Sequence, residues 1–259
     1  MAVKYNKNSP IGVMDSGMGG ISTLRALVKE LPSEDFIYYG DDKNAPYGTK
    51  STDEVISLAE ASLARLIDRG AKAVVIACNT ATGAAAAYLR EKYTDVPIIG
   101  AEPAIRPAVK YKHDSRVLVM ATPLTLKSEK YLALSKEFAN DAEIIGLPCQ
   151  GIVELVESGT LEGGDVDDLL HRLLDPYVGK IDSIVLGCTH YPFLSKSISA
   201  IVGEQIPLFD GNKGIAAEAK RRLLMEDMLT EKVTRGSVTF ETSAGDEDTH
   251  RIAHMLMNL

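Results

Sequence analysis

The sequence predicts an α/β fold made of two similar domains, each with a mainly parallel sheet and flanking helices. Short apolar segments alternate with segments of helical periodicity along most of the 259 residues. This alternation is typical of parallel strands joined by right-handed crossovers. The alternation restarts near residue 116, and segments of the second half can be aligned with segments of the first. At 45% hydrophobic residues, the chain can bury a core in each half.

The first half starts with the apolar strand IGVMDS, which runs into the glycine-rich turn SGMGG. A helix follows and stops at Pro32, and DFIYYGDD is the second strand. The segment NAPYGTK contains proline and glycine and predicts a loop. The next helix starts at Ser51, whose spacing to Glu54 is that of a capping box, and Gly70 favours its end. The strand AKAVVIA, an alanine-rich helix to about Lys92 and the strand VPIIGAE complete this half.

The second half repeats the pattern and is followed by a tail. Its predicted strands are RVLVMAT, AEIIGLPC and IDSIVLG, and its predicted helices are KSEKYLALSKEFA, GIVELVESG and DVDDLLHRLLDPYV. The tail, from about Phe209, contains a helix, the strand GSVTFETS and a last helix. We expect residues 10–103 and 209–259 to form the first domain and residues 104–208 the second.

Three pairs of segments suggest that the two halves arose by duplication. Ile11 aligns with Val117 and Tyr38 with Ile144, each at an offset of 106 residues. Cys78 aligns with Cys188 at an offset of 110. A repeat of domain size follows from these offsets.

Composition excludes several classes of function. The net charge is −8 and the pI is about 5.2, which argues against nucleic acid and anionic membranes as main partners. The first ten residues have no apolar signal core, and no window approaches 18 consecutive apolar residues. Three sparse cysteines fit a reducing cytoplasm better than a disulfide framework, and none has zinc-ligand spacing.

Two cysteines stand where predicted strands end. Cys78 follows AVVIA and Cys188 follows SIVLG, and each precedes polar residues near the start of a helix. Ligands of parallel sheets bind beyond these strand ends, and free N–H groups at a helix start favour a thiolate. The residues allow buried structural cysteines, a redox pair, one nucleophilic cysteine with His190 as base, or two bases facing one substrate. Neither cysteine is followed by the arginine that a cysteine phosphatase loop needs.

Four motifs together resemble glutamate racemase, a cofactor-independent amino-acid racemase. They are DSGMGG, PYG, ACNTA and LGCTHYP, and the resemblance runs from about Ile11 to Asp210. The histidine after CT points to the glutamate branch of the family. The resemblance implies an isomerase that interconverts L- and D-glutamate without metal or cofactor, with its active site in the cleft between the two domains. It also implies a cytoplasmic homodimer that supplies D-glutamate for peptidoglycan.

The resemblance also assigns residues. Cys78 and Cys188 are the two acid/base groups, of which Cys78 deprotonates D-glutamate and Cys188 deprotonates L-glutamate. Asp15, His190 and Glu157 assist them, with Glu154 as the alternative to Glu157. The expected substrate contacts are Asp15, Ser16, Tyr47, Gly48, Asn79, Thr80, Thr189 and His190.

Other interpretations remain open from the sequence. A non-enzymatic amino-acid binder, an aspartate or hydantoin racemase and a cofactor-free decarboxylase would all fit two α/β domains. The glycines of DSGMGG could cradle a phosphate, although they are not spaced as G-x-G-x-x-G. Cys149 is predicted to be a packing or loop thiol. The remaining histidines, His113, His171, His250 and His254, are assigned to no site.

Overall fold

The computed structural model describes residues 5–259, which form nine strands and eleven helices besides short 3₁₀ turns. The first four residues of the segment assessed above for a secretory signal lie outside the described residues. The strands are β1 Ile11–Asp15, β2 Phe36–Gly40, β3 Ala73–Ile76, β4 Ile98–Gly100, β5 Ser115–Ala121, β6 Ala142–Pro148, β7 Ser183–Leu186, β8 Leu208–Asp210 and β9 Val238–Thr242. The helices are α1 Ile21–Glu30, α2 Thr52–Asp68, α3 Asn79–Lys92, α4 Ile105–Tyr111, α5 Pro123–Lys127, α6 Glu129–Glu137, α7 Ile152–Glu157, α8 Gly164–Leu174, α9 Ser195–Val202, α10 Asn212–Met225 and α11 Glu247–Met257.

The strands form two fully parallel sheets, which confirms the predicted fold class. The first has the order β4-β3-β1-β2-β9 and the second the order β6-β5-β7-β8. Read from the other side, the second sheet is β8-β7-β5-β6, the same order as the first four strands of the first sheet. The tail returns to the first sheet, where β9 pairs with β2.

Strand register tests the proposed alignment of the two halves. Ile11 pairs with Phe36 and Ala73, and Val117 pairs with Ile144 and Ser183. The offsets are therefore 117 − 11 = 106, 144 − 36 = 108 and 183 − 73 = 110. The alignment of Tyr38 with Ile144 is thus wrong by two residues. Side chains alternate between sheet faces with a period of two, so a two-residue error preserves the apolar pattern and escapes detection.

The helices α4, α5 and α9 and the strand β8, which are all short, were not predicted from the sequence. Pro107 interrupts the pattern of α4, although a proline in the first turn of a helix is tolerated. The predicted helix KSEKYLALSKEFA corresponds to α6, which starts after Ser128, because the Ser128 hydroxyl caps it by accepting from Tyr131 N at 3.2 Å. The domain boundary predicted at residue 209 falls within β8, which pairs with β7.

The buried central strands fix where the site can form. All residues of β1, β3 and β7 are buried, since helices cover both faces of each sheet. Ser51 caps α2 as its spacing predicted, because its hydroxyl accepts from Glu54 N at 3.3 Å. Because the central strands are buried along their whole length, polar side chains collect beyond their ends. Among residues 5–259, no helix is both long and apolar enough to cross a bilayer.

Candidate active site

The two cysteines occupy equivalent places beyond the carboxyl ends of β3 and β7. The hydrogen bond from Ala77 N to Met14 O (2.9 Å) continues the first ladder to the residue before Cys78. The bond from Gly187 N to Met120 O (2.8 Å) does the same before Cys188. Each thiol thus follows a strand that pairs with the first strand of its half: β3 pairs with β1, and β7 pairs with β5.

The thiol of Cys78 is buried at the start of α3. Its Sγ accepts from Ala81 N at 3.4 Å and can donate to Ser16 Oγ at 3.6 Å. Burial, followed by the nearby carboxyl of Asp15, raises the pKa of Cys78 to about 12. In this buried position Cys78 is a protonated thiol at neutral pH.

Cys188 has a different neighbour. Its Sγ lies 3.6 Å from His190 Nδ1, and His190 Nε2 lies 2.5 Å from Glu157 Oε1. Burial alone would lower the pKa of His190, but the contacts with Cys188 and Glu157 outweigh it and raise that pKa well above its ordinary value. A protonated imidazole therefore stands between the sulfur of Cys188 and the carboxyl group of Glu157. Of the two glutamates considered from the sequence, Glu157 makes this contact.

The carboxyl groups of Asp15 and Glu157 each reach into the opposite half of the molecule. Asp15 Oδ1 accepts from Thr189 Oγ1 at 3.2 Å, and Glu157 Oε1 accepts from Met18 N at 2.6 Å. Burial raises the pKa of Asp15 to about 6; His190 works against this rise and Glu157 adds to it. The two halves are therefore held together by the same groups that surround the thiols.

The glycines of DSGMGG are explained by contact rather than by backbone conformation. A Cβ on Gly17 would lie 2.0 Å from Glu157 Oε1, and one on Gly19 would lie 2.3 Å from His190 Nδ1. The turn can thus lie directly against the two side chains from the second half. This contact accounts for the glycines without the phosphate-cradle interpretation.

The remaining predicted contacts lie around the same junction. The Tyr47 hydroxyl donates to Asp41 Oδ2 at 2.7 Å, and a Cβ on Gly48 would meet Thr122 Cβ at 2.6 Å. The hydroxyl of Thr80 lies 2.9 Å from that of Thr122. Asn79 Oδ1 is buried without a hydrogen-bond partner among the described residues, so it is free to hold a ligand group.

Sequence reasoning missed several polar residues at this junction. Thr122 lies 106 residues after Ser16, so the repeat offset itself could have identified it. Thr125, whose hydroxyl lies 3.1 Å from that of Thr80, belongs to α5 and carried no motif. The side chains concerned are Ser22, Asp41, Thr122 and Thr125.

The cavity on the Cys188 side of the site is small. The cavity beside Cys188 measures about 10 Å³ and is also lined by Asn79, Thr189, Thr23 and Asn212. A single water needs about 10–15 Å³ of such volume, so this cavity does not hold an amino acid. Within residues 5–259, no group of three or more His, Cys, Asp or Glu residues could hold a metal ion.

Comparison with known proteins gives a consistent result. The family model for Asp/Glu/hydantoin racemase matches residues 11–219. A curated glutamate racemase from Clostridium perfringens is 48% identical over 254 residues, which cover 98% of this chain and 98% of that protein.

Solved structures agree with the sequence comparison. Glutamate racemase isoform RacE1 from Bacillus anthracis matches with a TM-score of 0.88 and 30% identity, over 98% of this chain and 96% of that one. Glutamate racemase from Francisella tularensis in complex with D-glutamate matches with a TM-score of 0.84 and 31% identity, over 98% and 95%. The predicted resemblance to glutamate racemase and the predicted isomerase class are thereby confirmed: the chain belongs to the Asp/Glu/hydantoin racemase family.

Proposed function

We propose that this protein interconverts L- and D-glutamate by a two-base mechanism in which Cys78 and Cys188 face opposite sides of Cα. The observation that carries the proposal is the equivalent placement of two buried thiols, each beside its own polar partners. One thiolate removes the α-proton, and the opposite thiol returns a proton to the other face, which inverts the stereocentre. Relatives that match almost the whole chain are glutamate racemases, which supports glutamate as the substrate.

The chemistry requires stabilisation of a carbanion-like state by fixed dipoles. The free side-chain oxygen of Asn79 and the hydroxyls of Ser16, Thr80 and Thr189 offer polar contacts for the amino and carboxylate groups. Such preorganised groups are worth more in a dry site than in water. Closure of the two halves over the substrate would supply that dryness.

The two thiols have different neighbours. The pKa of Cys78 at about 12 keeps it protonated, whereas protonated His190 can stabilise a thiolate at Cys188 by a hydrogen bond from Nδ1. In the direction from L- to D-glutamate, a Cys188 thiolate removes the α-proton and Cys78 supplies the new one. The reverse reaction needs the opposite state, in which Asp15, with a pKa of about 6, can take part in proton redistribution next to Cys78.

The wider role follows from the same family resemblance. We propose that the protein acts in the cytoplasm as a homodimer, without metal or cofactor, and supplies D-glutamate for peptidoglycan. Depletion of the protein in a cell with no other source should then stop growth, and external D-glutamate should restore it. Growth that is unaffected by depletion would contradict this role without affecting the proposed reaction.

The reaction is tested with deuterated water and cysteine variants. Product formed from either enantiomer of glutamate should carry deuterium at Cα by mass spectrometry, and Cys78→Ala or Cys188→Ala should each abolish racemisation. In 3-chloroglutamate, one deprotonation suffices for loss of chloride, so Cys78→Ala should still eliminate from the L-enantiomer and Cys188→Ala from the D-enantiomer. Two variants that process the same enantiomer would exclude the two-base mechanism. Binding of glutamate with no turnover by the wild type would favour an amino-acid binder instead.

A further inference from the structure

Tyr191 follows Cys188 by three residues, and its side chain is fully buried. Its backbone N–H donates to Cys188 O at 3.2 Å. Its hydroxyl donates to the carbonyl oxygen of Cys149 at 2.9 Å. A buried phenol generally finds one such partner, and here the partner belongs to another segment of the chain. The side chain therefore joins the Cys188 loop to Cys149.

Cys149 stands at the entrance to the helix that carries Glu157. Its N–H donates to Ala121 O at 3.0 Å, which places it just beyond the last pair of β5 and β6. The chain then passes Gly151, which has a left-handed φ of 93°, and enters α7, of which Glu157 is the last residue. The Tyr191 hydroxyl thus connects the loop of Cys188 and His190 with the segment that leads to Glu157.

The first half of the molecule contains a comparable anchor. The hydroxyl of Tyr47 donates to Asp41 Oδ2 at 2.7 Å, and Asp41 N donates to Asp15 O at 3.0 Å. Asp41 and Cys149 are equivalent by register, because 149 − 41 = 108 is the offset found for β2 and β6. The two tyrosines occur at unrelated positions of the chain. Each half therefore uses a buried tyrosine to hold the residue that follows its second strand.

We propose that Tyr191 is a positioning residue for Cys188: its hydroxyl, held by the Cys149 carbonyl, fixes the Cys188 loop against α7 so that His190 stays between Cys188 and Glu157. Burial and the neighbouring thiols of Cys188 and Cys149 raise the pKa of Tyr191 well above its ordinary value, so the hydroxyl remains a donor at any working pH. This role rests on the proposed two-base function. Cys78 is held by a different loop, so Tyr191 does not position it.

Removal of the hydroxyl alone provides the test. Tyr191→Phe keeps the ring in the core but leaves the Cys149 carbonyl without its donor, so the loop can shift relative to α7. Because a misplacement of about 1 Å can cost about 100-fold in rate, we expect the Cys188-dependent step to slow by about 10- to 100-fold. The matched control is Tyr131→Phe, since Tyr131 is a buried tyrosine of α6 that packs in the core cluster on the other face of the second sheet.

Chloride release from the two enantiomers of 3-chloroglutamate reports on Cys188 and Cys78 separately. In 3-chloroglutamate the base removes the Cα proton, that electron pair forms the Cα–Cβ double bond, and chloride leaves; the enamine then hydrolyses to 2-oxoglutarate and ammonia. Chloride release from the L-enantiomer should fall about 10- to 100-fold in Tyr191→Phe, in kcat rather than KM, because proton transfer depends strongly on geometry. Release from the D-enantiomer should stay within about threefold of the wild type, since a purely structural defect would slow both.

Each outcome has one meaning. Equal losses for both enantiomers, or no loss for the L-enantiomer, would overturn the positioning role. If Cys78→Ala and Cys188→Ala themselves show no enantiomer split, the two-base function fails first. Melting temperatures are measured for each variant, and rates are compared below the lowest of them, so that a loss of folded protein is not read as a loss of rate.

Discussion

At the scale of single residues, burial and hydrogen bonds set the pKa of each titratable group in the site. Burial raises the pKa of Cys78 to about 12 and that of Asp15 to about 6. His190 is equally buried, yet its hydrogen bonds to Cys188 and Glu157 raise its pKa instead of lowering it. A carboxyl group, a thiol and an imidazole in one site thus all have raised pKa values, and groups shifted in this way are suited to acid/base catalysis at neutral pH.

The buried carboxyl of Asp15 should make stability depend on pH. Its pKa is raised from 3.8 to about 6, so the folded state binds the proton more tightly than the unfolded chain does. The contribution of Asp15 to the free energy of unfolding should therefore decline as the pH rises from about 4 to about 6 and level off above that range. A shift of about two pKa units corresponds to about 3 kcal/mol.

Replacement by asparagine checks this expectation. Asp15→Asn cannot ionise, so its free energy of unfolding in urea should exceed that of the wild type at pH 7 by up to about 3 kcal/mol, less the hydrogen bonds it loses, and the difference should vanish near pH 4. Racemisation should fall at the same time, as expected when a functional group costs stability. Asp168→Asn, on the exposed face of α8, serves as control and should leave the pH profile unchanged. A variant less stable than the wild type at pH 7 would contradict the argument.

At the scale of elements, the turn between β1 and α1 decides how closely the two halves approach. Its glycines leave room for Glu157 and His190, and its Met18 N–H donates to Glu157. Similarly, Cys78 stands at the N-terminus of α3, where its sulfur accepts from Ala81 N. Ordinary elements of an α/β fold thus present the site at their ends, as parallel sheets generally do.

A methyl group in the β1–α1 turn should reduce the rate of catalysis. Gly19→Ala places a Cβ 2.3 Å from His190 Nδ1, so the imidazole must move away from Cys188. We expect kcat of glutamate racemisation to fall by about 100-fold, since a displacement of about 1 Å is enough for such a loss. Gly164→Ala is the control, because nothing lies within 4 Å of its Cβ position at the start of α8. Full activity of Gly19→Ala in a chiral assay would show that His190 can yield without cost.

At the scale of the whole molecule, the two ends of the strands in the first sheet differ in what they carry. The candidate site lies at the carboxyl ends. At the amino ends lies a buried ion pair between Lys72, which precedes β3, and Glu34, which precedes β2. Lys72 Nζ also donates to Lys7 O, and Glu34 Oε1 accepts from Thr230 N at 2.8 Å. This pair therefore ties the N-terminal segment, two sheet entrances and the returning tail together.

Breaking the pair should cost stability without changing catalysis. Glu34→Gln leaves the Lys72 ammonium without its counter-charge, and loss of one partner of a buried pair typically costs about 3–5 kcal/mol. The double variant Glu34→Leu/Lys72→Met should lose less, because no unpaired charge remains. Urea unfolding measures both, and kcat below the melting temperature should equal that of the wild type. A double variant less stable than Glu34→Gln would contradict the buried-charge explanation.

The sequence by itself determined the parallel α/β architecture, the repeat and the position of Cys78 and Cys188 beyond two strand ends. These follow from local patterns: apolar runs, glycine and proline breaks, and helical spacing. It also predicted the cap at Ser51 correctly, because a cap involves residues only three positions apart. The strand β8 was not predicted, and unlike the equally short β4 it has no buried residue.

Only the tertiary structure decided which groups meet across the junction. It brings Glu157 rather than Glu154 to His190, and it bonds Glu157 to Met18, which is 139 residues away along the chain. It also explains the glycines of DSGMGG, which the sequence could only describe as a turn, and it brings Thr122 to Thr80. Contacts between distant segments depend on the packing of whole sheets and helices, and a difference of one helical turn changes the partner while the local pattern stays the same.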